Sequence, residues 1–426
     1  MESTLIFLAL LFFGMAVGIS IAMSLVLSAV VLMWHLDFFN TQLLAQNLLA
    51  GFDNFPLLAV PFFILAGELM NAGGLSRRII DMARAFVGHI HGGLGYVAIF
   101  ASVLLASMSG SAIADTAALA TILLPMMRLQ NYPQDFSAGL LGAGGIIAPI
   151  IPPSLPFIIY GVTTNTSISS LFVFGVVPGL CMGLFLLLAW RAIARRHELP
   201  SVRRVDWVGR RHAIVDGAWA IVMPVIILGG IKGGIFTPTE AAVVAAVYAF
   251  LVAKFIYREM SWRDCYKVLV ATSNTTAVVM FLCGAATVAA YMITLADLPN
   301  QLAHIFAPIM GDPKLFMACM VVFLLLVGTS MDLTPTILIF APVCLPLANK
   351  AHIDPIYFGF MFIYTGCLGL ITPPVGTVLN VVAGVGRMKM EAVVKGISPF
   401  LVMYLVLLVI FVMFPQLIIA PATWLY

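Results

Sequence analysis

SMSGSAIADTAALATILLPMM, Ser107 to Met127, is followed by GAGGIIAPIIPPSLPFIIYG, Gly142 to Gly161. Later in the chain GTSMDLTPTILIFAPVCLPLA, Gly328 to Ala348, is followed by TGCLGLITPPVGTVLNVVAG, Thr365 to Gly384. From Pro125 to Pro152 is 27 positions, from Pro346 to Pro373 is again 27, and the copies lie 221 positions apart. Each copy joins a small-residue, hydroxyl-rich turn to a charge-poor helix interrupted by Pro-Pro. Duplicated broken helices in an apolar chain point to the central binding site of a transporter.

The rest of the chain agrees with a membrane setting. It is 62% hydrophobic and only 9% charged, with a mean hydropathy of +1.10. Ser3 to Trp34, Phe136 to Trp190 and Gly396 to Tyr426 contain no charged side chain. A run of about 18 such residues crosses roughly 30 Å of hydrocarbon, so the second run holds two crossings. The fold class expected is an all-α polytopic membrane protein. The N-terminus lacks a basic region and the first apolar run lacks a cleavage signature, so that run reads as a retained span. The six cysteines stand singly, with no CxxC pair, and are read as small hydrophobes.

Apolar length places spans at about 4–33, 54–72, 93–108, 136–160, 168–190, 213–232, 237–257, 268–291, 314–328, 356–383 and 397–420. Arg77, Arg78, Asp81, Arg84 and His89 alternate with apolar residues and suit a helix lying in the interface. Leu298 to Met310 takes the matching place later, and Asp37 to Phe52 reads as another surface helix. Seven arginines (Arg191, Arg195, Arg196, Arg203, Arg204, Arg210 and Arg211) mark a cytoplasmic loop by the positive-inside rule. The other use of such a loop, binding nucleic acid or anionic lipid, is the lesser reading, and no nucleic-acid partner is expected. The domains expected are a first repeat over 1–195, a basic loop over 196–212, and a second repeat over 213–426 carrying an additional span. Within them lie hairpins at about 107–128 and 328–348 and broken helices at about 136–160 and 356–383. That additional span leaves open whether the two motifs face opposite sides or the same side of the membrane.

Ser107, Ser109, Gly110, Ser111 and Thr116 cluster at membrane depth with Asp115, the only charged side chain between Gly92 and Met127. Free backbone at that depth is tolerated only where it lines a cavity or is buried in protein. Helix N-termini favour an anionic carboxylate, while unwound carbonyls and hydroxyls suit a cation. The plainer alternatives are close helix packing by Ser and Gly and an N-cap role for Asp115. The second motif offers Gly328, Thr329, Ser330, Asp332 and Thr334; by the offset Ser111 corresponds to Asp332, so the acid has moved. Pro152-Pro153 with Ser154, and Thr372-Pro373-Pro374 with Gly376, remove backbone donors and expose carbonyls, although a simple kink would also account for them. Glu68, Arg128, Asn165, Asn274, Asn380 and Glu240 are weaker signals, and Glu240 suits a helix start. His89 and His91 lack a third nearby ligand, so no structural metal is expected. No phosphate loop, HExxH or GxSxG is present, which argues against an ATPase, a protease or an esterase.

SGSAIADTAA (Ser109 to Ala118), GGIIAPIIPPS (Gly144 to Ser154), GIFTPTEAA (Gly234 to Ala242), LGLITPPVG (Leu368 to Gly376) and VPFFILAGELM (Val60 to Met70) stand in an order that resembles the large membrane subunit of tripartite ATP-independent periplasmic (TRAP) transporters. The resemblance runs over nearly the whole chain. It implies inverted repeats, each with a re-entrant hairpin and a broken helix, working as an elevator in a bacterial inner membrane. It implies a separate small four-span membrane subunit, a soluble periplasmic substrate-binding protein, surrounding membrane lipid, and Na⁺ as coupling ion with no other cofactor. It also implies a small carboxylate as substrate: a dicarboxylate, keto acid, sugar acid or sialic acid. Carried over by motif, the cation sites fall at Ser107, Ser109, Gly110, Ser111 and Pro152, and at Gly328, Thr329, Asp332, Thr372 and Pro373. Substrate contacts are then expected from Asp115, Thr116, Pro153, Ser154, Ser330, Thr334, Pro374 and Gly376. The alternative is a one-component sodium/dicarboxylate carrier that needs no binding protein.

Overall fold

A computed structural model of the chain describes residues 2–201 and 204–425. Arg203 of the basic loop lies outside the described residues. Helices make up the fold and no strand occurs among the described residues. Among the described residues, eight helices are long and apolar enough to cross a membrane.

The apolar run read as one span over 4–33 is two helices, Glu2–Ala16 and Ile21–His35, packed against each other. Gly18 turns the chain between them at φ +90, a conformation that costs glycine nothing. Gly18 is the one local signal of the turn, because an uninterrupted apolar run averages to a single hydrophobic window. The split equalises the number of longer helices ahead of the two motifs. Three helices (Glu2–Ala16, Ile21–His35, Ala59–Ala72) precede the first motif, besides short surface helices. Three (Trp207–Lys232, Pro238–Leu251, Trp262–Leu295) precede the second.

The surface helices form where amphipathic patterning places them: Thr41–Phe52, Leu75–Val87 and Leu298–Phe306. Asn40 starts the first, its Oδ1 accepting from Gln42 N (2.9 Å) and Leu43 N (3.1 Å), which satisfies otherwise orphaned amides. The basic loop is shorter than 196–212, because a helix begins at Trp207 behind Asp206, whose Oδ1 accepts from Gly209 N. Glu240 closes a capping box with Thr237, the structural role its position at a helix start implies.

Two bundles result. Helix Ala59–Ala72 packs on Pro238–Leu251 and Trp262–Leu295, and Thr41–Phe52 packs on Trp262–Leu295. In the other bundle Met390–Met413 lies against Gln134–Gly145, Leu333–Lys350 against Leu155–Thr164, and Thr377–Gly386 against Ala112–Leu129. The elements of the two motifs are thus interleaved. Tyr404 Oη donates to Ala143 O (2.9 Å) and Tyr364 Oη to Tyr404 O (3.0 Å), both buried. Arg128 Nη2 donates to Gly386 O (3.1 Å), tying the end of the first hairpin to the last turn of the second broken helix.

Candidate functional site

The segment read as a span at 93–108 is the incoming arm of the first hairpin. Helix Gly93–Ser109 ends in Gly110, and helix Ala112–Leu129 leads away behind Ser111. Gly110 sits at φ +62, and a Cβ there would lie 2.9 Å from Pro153 O and 3.0 Å from Leu155 N. The tip therefore rests on the break between Gln134–Gly145 and Leu155–Thr164, near the middle of that element. Within the tip Ser109 Oγ donates to Asp115 Oδ1, and Ser111 N donates to Ser109 Oγ (3.1 Å). Ser111 Oγ accepts from Ala114 N (3.3 Å) as the cap of the outgoing arm.

Asp115 is 3% exposed and its Oδ2 has no partner; Thr116, fully buried, likewise leaves Oγ1 unpaired. A buried polar atom without a partner costs free energy that a bound cation or water can recover. Ser107 spends its hydroxyl on Leu104 O (2.6 Å). In the break, Ser154 Oγ donates to Pro149 O (2.5 Å) and accepts from Phe157 N (3.3 Å). Pro152, Pro153 and Ser154 are all buried.

The second unit repeats this arrangement with different chemistry. Helix Pro313–Gly328, read as a span at 314–328, is again the incoming arm, and Leu333–Lys350 is the outgoing one. Gly328 and Gly369 touch backbone to backbone: a Cβ on Gly369 would lie 2.4 Å from Gly328 C. Thr329 O accepts from Val375 N (3.3 Å), which joins the tip to the break between Pro355–Gly369 and Thr377–Gly386. Thr372 Oγ1 donates to Leu368 O (2.7 Å), and Asn380 Nδ2 to Val375 O (3.1 Å). Gly376 turns the chain at φ +48 into the second half-helix. Ser330, Pro373 and Pro374 are exposed, so this junction is open where the first is closed. Both Pro-Pro bonds, 152-153 and 373-374, are cis.

Both tips reach one cavity of about 330 Å³. Ser109 and Ser111 line it from the first tip, Asp332 and Thr334 from the second, and Leu155 and Ile159 from the half-helix after the first break. The opposite wall comes from the other bundle: Glu68 and Asn71 on Ala59–Ala72, Thr275 on Trp262–Leu295. Asp332 stands at the N-cap of its helix without the usual side-chain hydrogen bond. Glu68 has no hydrogen-bond or ion-pair partner among the described residues, and Asn71 Oδ1 accepts from Ser76 Oγ (2.6 Å). No lysine or arginine lines the cavity.

Of the residues expected from sequence, Ser109, Ser111, Asp332 and Thr334 meet in this space. Asp115, Thr116 and Ser154 lie packed behind the first tip, and Gly328, Thr329, Thr372 and Gly376 form the second tip–break junction. Glu68, a weaker signal in the sequence, lines the cavity with Asn71 and Thr275, neither of which stands out in the sequence. The available signal was two polar residues three positions apart, and so on one face, in an otherwise apolar helix.

Two hydroxyl-rich turns seated on two helix breaks, across a cavity shared by two bundles in an apolar helical chain, define a multi-pass membrane transport protein. The model of the tripartite ATP-independent periplasmic transporter DctM component matches residues 5–417; the chain belongs to this family, the large permeases of TRAP transporters in the bacterial inner membrane. It is 51% identical to the 2,3-diketo-L-gulonate TRAP transporter large permease YiaN of Escherichia coli, over 99% of both chains. It is 39% identical to the C4-dicarboxylate large permease DctM of Pseudomonas aeruginosa, over 91% of this chain and 90% of that one. It is 38% identical to the sialic acid large permease SiaM of Vibrio cholerae, over 96% and 95%. These relatives are permeases rather than enzymes. Among solved structures, the YdaH transporter of Alcanivorax borkumensis shares the fold, with a TM-score of 0.63 over 87% of this chain and 88% of that one at 15% identity.

Proposed function

We propose that this permease imports a small organic acid by sodium symport, receiving it from a periplasmic binding protein and working with a small four-span membrane subunit. The observation that carries this reading is the charge of the cavity. Its charged lining groups are the acids Glu68 and Asp332, and it contains no base. A carboxylate entering such a space is repelled unless cations enter with it, and hydroxyls and unwound carbonyls are ligands for a hard monovalent cation. Ser107, Ser109, Gly110, Ser111 and Pro152 would hold one cation beside the unpaired Asp115 oxygen, and Gly328, Thr329, Asp332, Thr372 and Pro373 another. Thr334 and Asn71, which belong to neither cation set, are left to hydrogen-bond the substrate. The relatives are named for a diketogulonate, a sialic acid and C4-dicarboxylates, all carboxylates. Net inward positive charge would draw on the membrane potential, about 2.3 kcal/mol per charge per 100 mV.

Topology supports the same reading. If each tip enters and returns, each half crosses five times: three helices before its tip, the broken helix, and then Ile168–Arg196 or Met390–Met413. An odd number of crossings inverts the second half relative to the first. Such an inversion would agree with two repeats over 1–195 and 213–426 joined by a basic cytoplasmic loop, without the additional span. Movement of the interleaved tip–break bundle against the helices bearing Glu68 and Thr275 would carry the cavity from one side to the other.

Reconstitution tests the system. With the small subunit and binding protein present, uptake of a carboxylate into liposomes is expected under an inward Na⁺ gradient and is lost when K⁺ replaces Na⁺. Uptake by this chain alone would favour the one-component alternative. Uptake indifferent to the cation would remove sodium coupling.

A further inference from the structure

Helix Ile168–Arg196 presents an exposed stripe on which Leu180, Leu184 and Leu188 are 54, 52 and 50% exposed. Continued at helical spacing, the stripe reaches Arg191 and Arg195, and the five residues fall within an arc of about 80°. Three apolar positions thus lead to two guanidiniums on one face. The arginines do not stand on a bare surface. With His91, Tyr96 and Glu198 they surround a cavity of about 610 Å³. Neither arginine has a hydrogen-bond or ion-pair partner among the described residues.

The cavity lies at the root of the first hairpin. Trp190 Nε1 donates to Gly92 O (2.9 Å), and Gly92 N donates to Pro200 O (3.2 Å). The buried Trp190 ring stacks on Tyr132 at 6.2 Å and 4°. A ligand here therefore touches the helix end and the start of the incoming arm together.

We propose that this face binds an anionic phospholipid, with its phosphate between Arg191 and Arg195 and an acyl chain along Leu188, Leu184 and Leu180. Charge and shape select this occupant. The stripe runs from the arginines into the apolar part of a membrane-crossing helix, a path that a free anion has no use for. Paired guanidiniums suit phosphate oxygens better than they suit a neutral headgroup edge. The single acid, Glu198, is outnumbered in the cavity. The bound lipid would brace the hairpin root against helix Ile168–Arg196. None of this depends on sodium coupling or on which acid is carried.

Native mass spectrometry of the purified full chain, offered phosphatidylglycerol, cardiolipin or phosphatidylcholine, tests the site. The anionic lipids are expected to stay bound and phosphatidylcholine to be lost. The pair Arg191→Gln and Arg195→Gln is expected to weaken anionic-lipid binding about 30-fold, from about 1 kcal/mol per basic residue at an anionic surface. Arg191→Lys with Arg195→Lys keeps the loop's topology signal and should fall between. The pair Arg211→Gln and Arg263→Gln, near the starts of helices Trp207–Lys232 and Trp262–Leu295, should change nothing. Equal retention of phosphatidylcholine, equal loss in that control pair, or full displacement of the lipid by millimolar inorganic phosphate would each overturn the proposal.

Discussion

Asp332→Asn is expected to lower sodium-dependent uptake about 10- to 100-fold, corresponding to the ~1.5–3 kcal/mol of a hydrogen bond or contact to a charged group. The half-saturating Na⁺ concentration should rise, while the protein still inserts. The reason lies in how the residue is placed. Asp332 starts helix Leu333–Lys350, yet makes no side-chain cap to the amides that an N-terminal aspartate usually satisfies. Its backbone carbonyl is engaged by Thr336 Oγ1 at 2.8 Å, and its carboxylate faces the shared cavity. A carboxylate held there without a basic neighbour is suited to a cation that arrives with the substrate. Thr334→Ala, one residue pair away on the same lining, should instead raise the substrate KM and leave the Na⁺ dependence in place. Unchanged sodium dependence in Asp332→Asn would remove this residue from the coupling site.

The second large effect concerns how the tips seat on the breaks. Gly110→Val forces a β-branched residue to φ +62 and drives its Cβ to within 3.0 Å of backbone in the first break. Gly369→Val drives a Cβ into Gly328 at the second. At Gly110 the left-handed conformation costs about 1–2 kcal/mol, and at both positions overpacking costs ~1–3 kcal/mol. Each tip can relieve this by lifting off its break, which opens the cavity wall. Uptake is expected to disappear in both variants, with normal amounts of protein in the membrane, because the apolar helices that drive insertion are unchanged. Gly384→Ala, where a Cβ meets nothing within 4 Å, is the matching control and should transport normally. Near-normal uptake by either valine variant would mean that close seating of the tip is not needed.

Much of this was legible in the sequence because the duplicated motif carries its own punctuation. Gly110 between two runs of small residues, and Pro-Pro at a constant distance behind it, fix a turn and a break whatever the surroundings. The amphipathic surface helices were legible for the same kind of reason: charge alternates with apolar residues at helical spacing. What composition could not convey was any boundary inside uniformly apolar sequence. Glu2–Ala16 and Ile21–His35 read as one element because neither has a polar face. The arms Gly93–Ser109 and Pro313–Gly328 likewise read as ordinary spans, because an arm of a helical hairpin is as apolar as a crossing helix. Glu68 and Asn71 were obscured differently. Their place in the cavity depends on the wall they face, and that wall is supplied by hairpins far away in the chain. The unequal cover of the two junctions, Pro152–Ser154 buried and Pro373–Val375 exposed, has no counterpart in the sequence, where the two copies look alike.

The most direct test of the account is an electron cryo-microscopy map of the permease with its small subunit, recorded with Na⁺ and a saturating carboxylate. The account predicts substrate density between the Ser109–Ser111 and Asp332–Thr334 turns, facing Glu68 and Asn71, with both helices interrupted at their proline pairs. Continuous helices through both regions, or substrate bound away from the two turns, would contradict it.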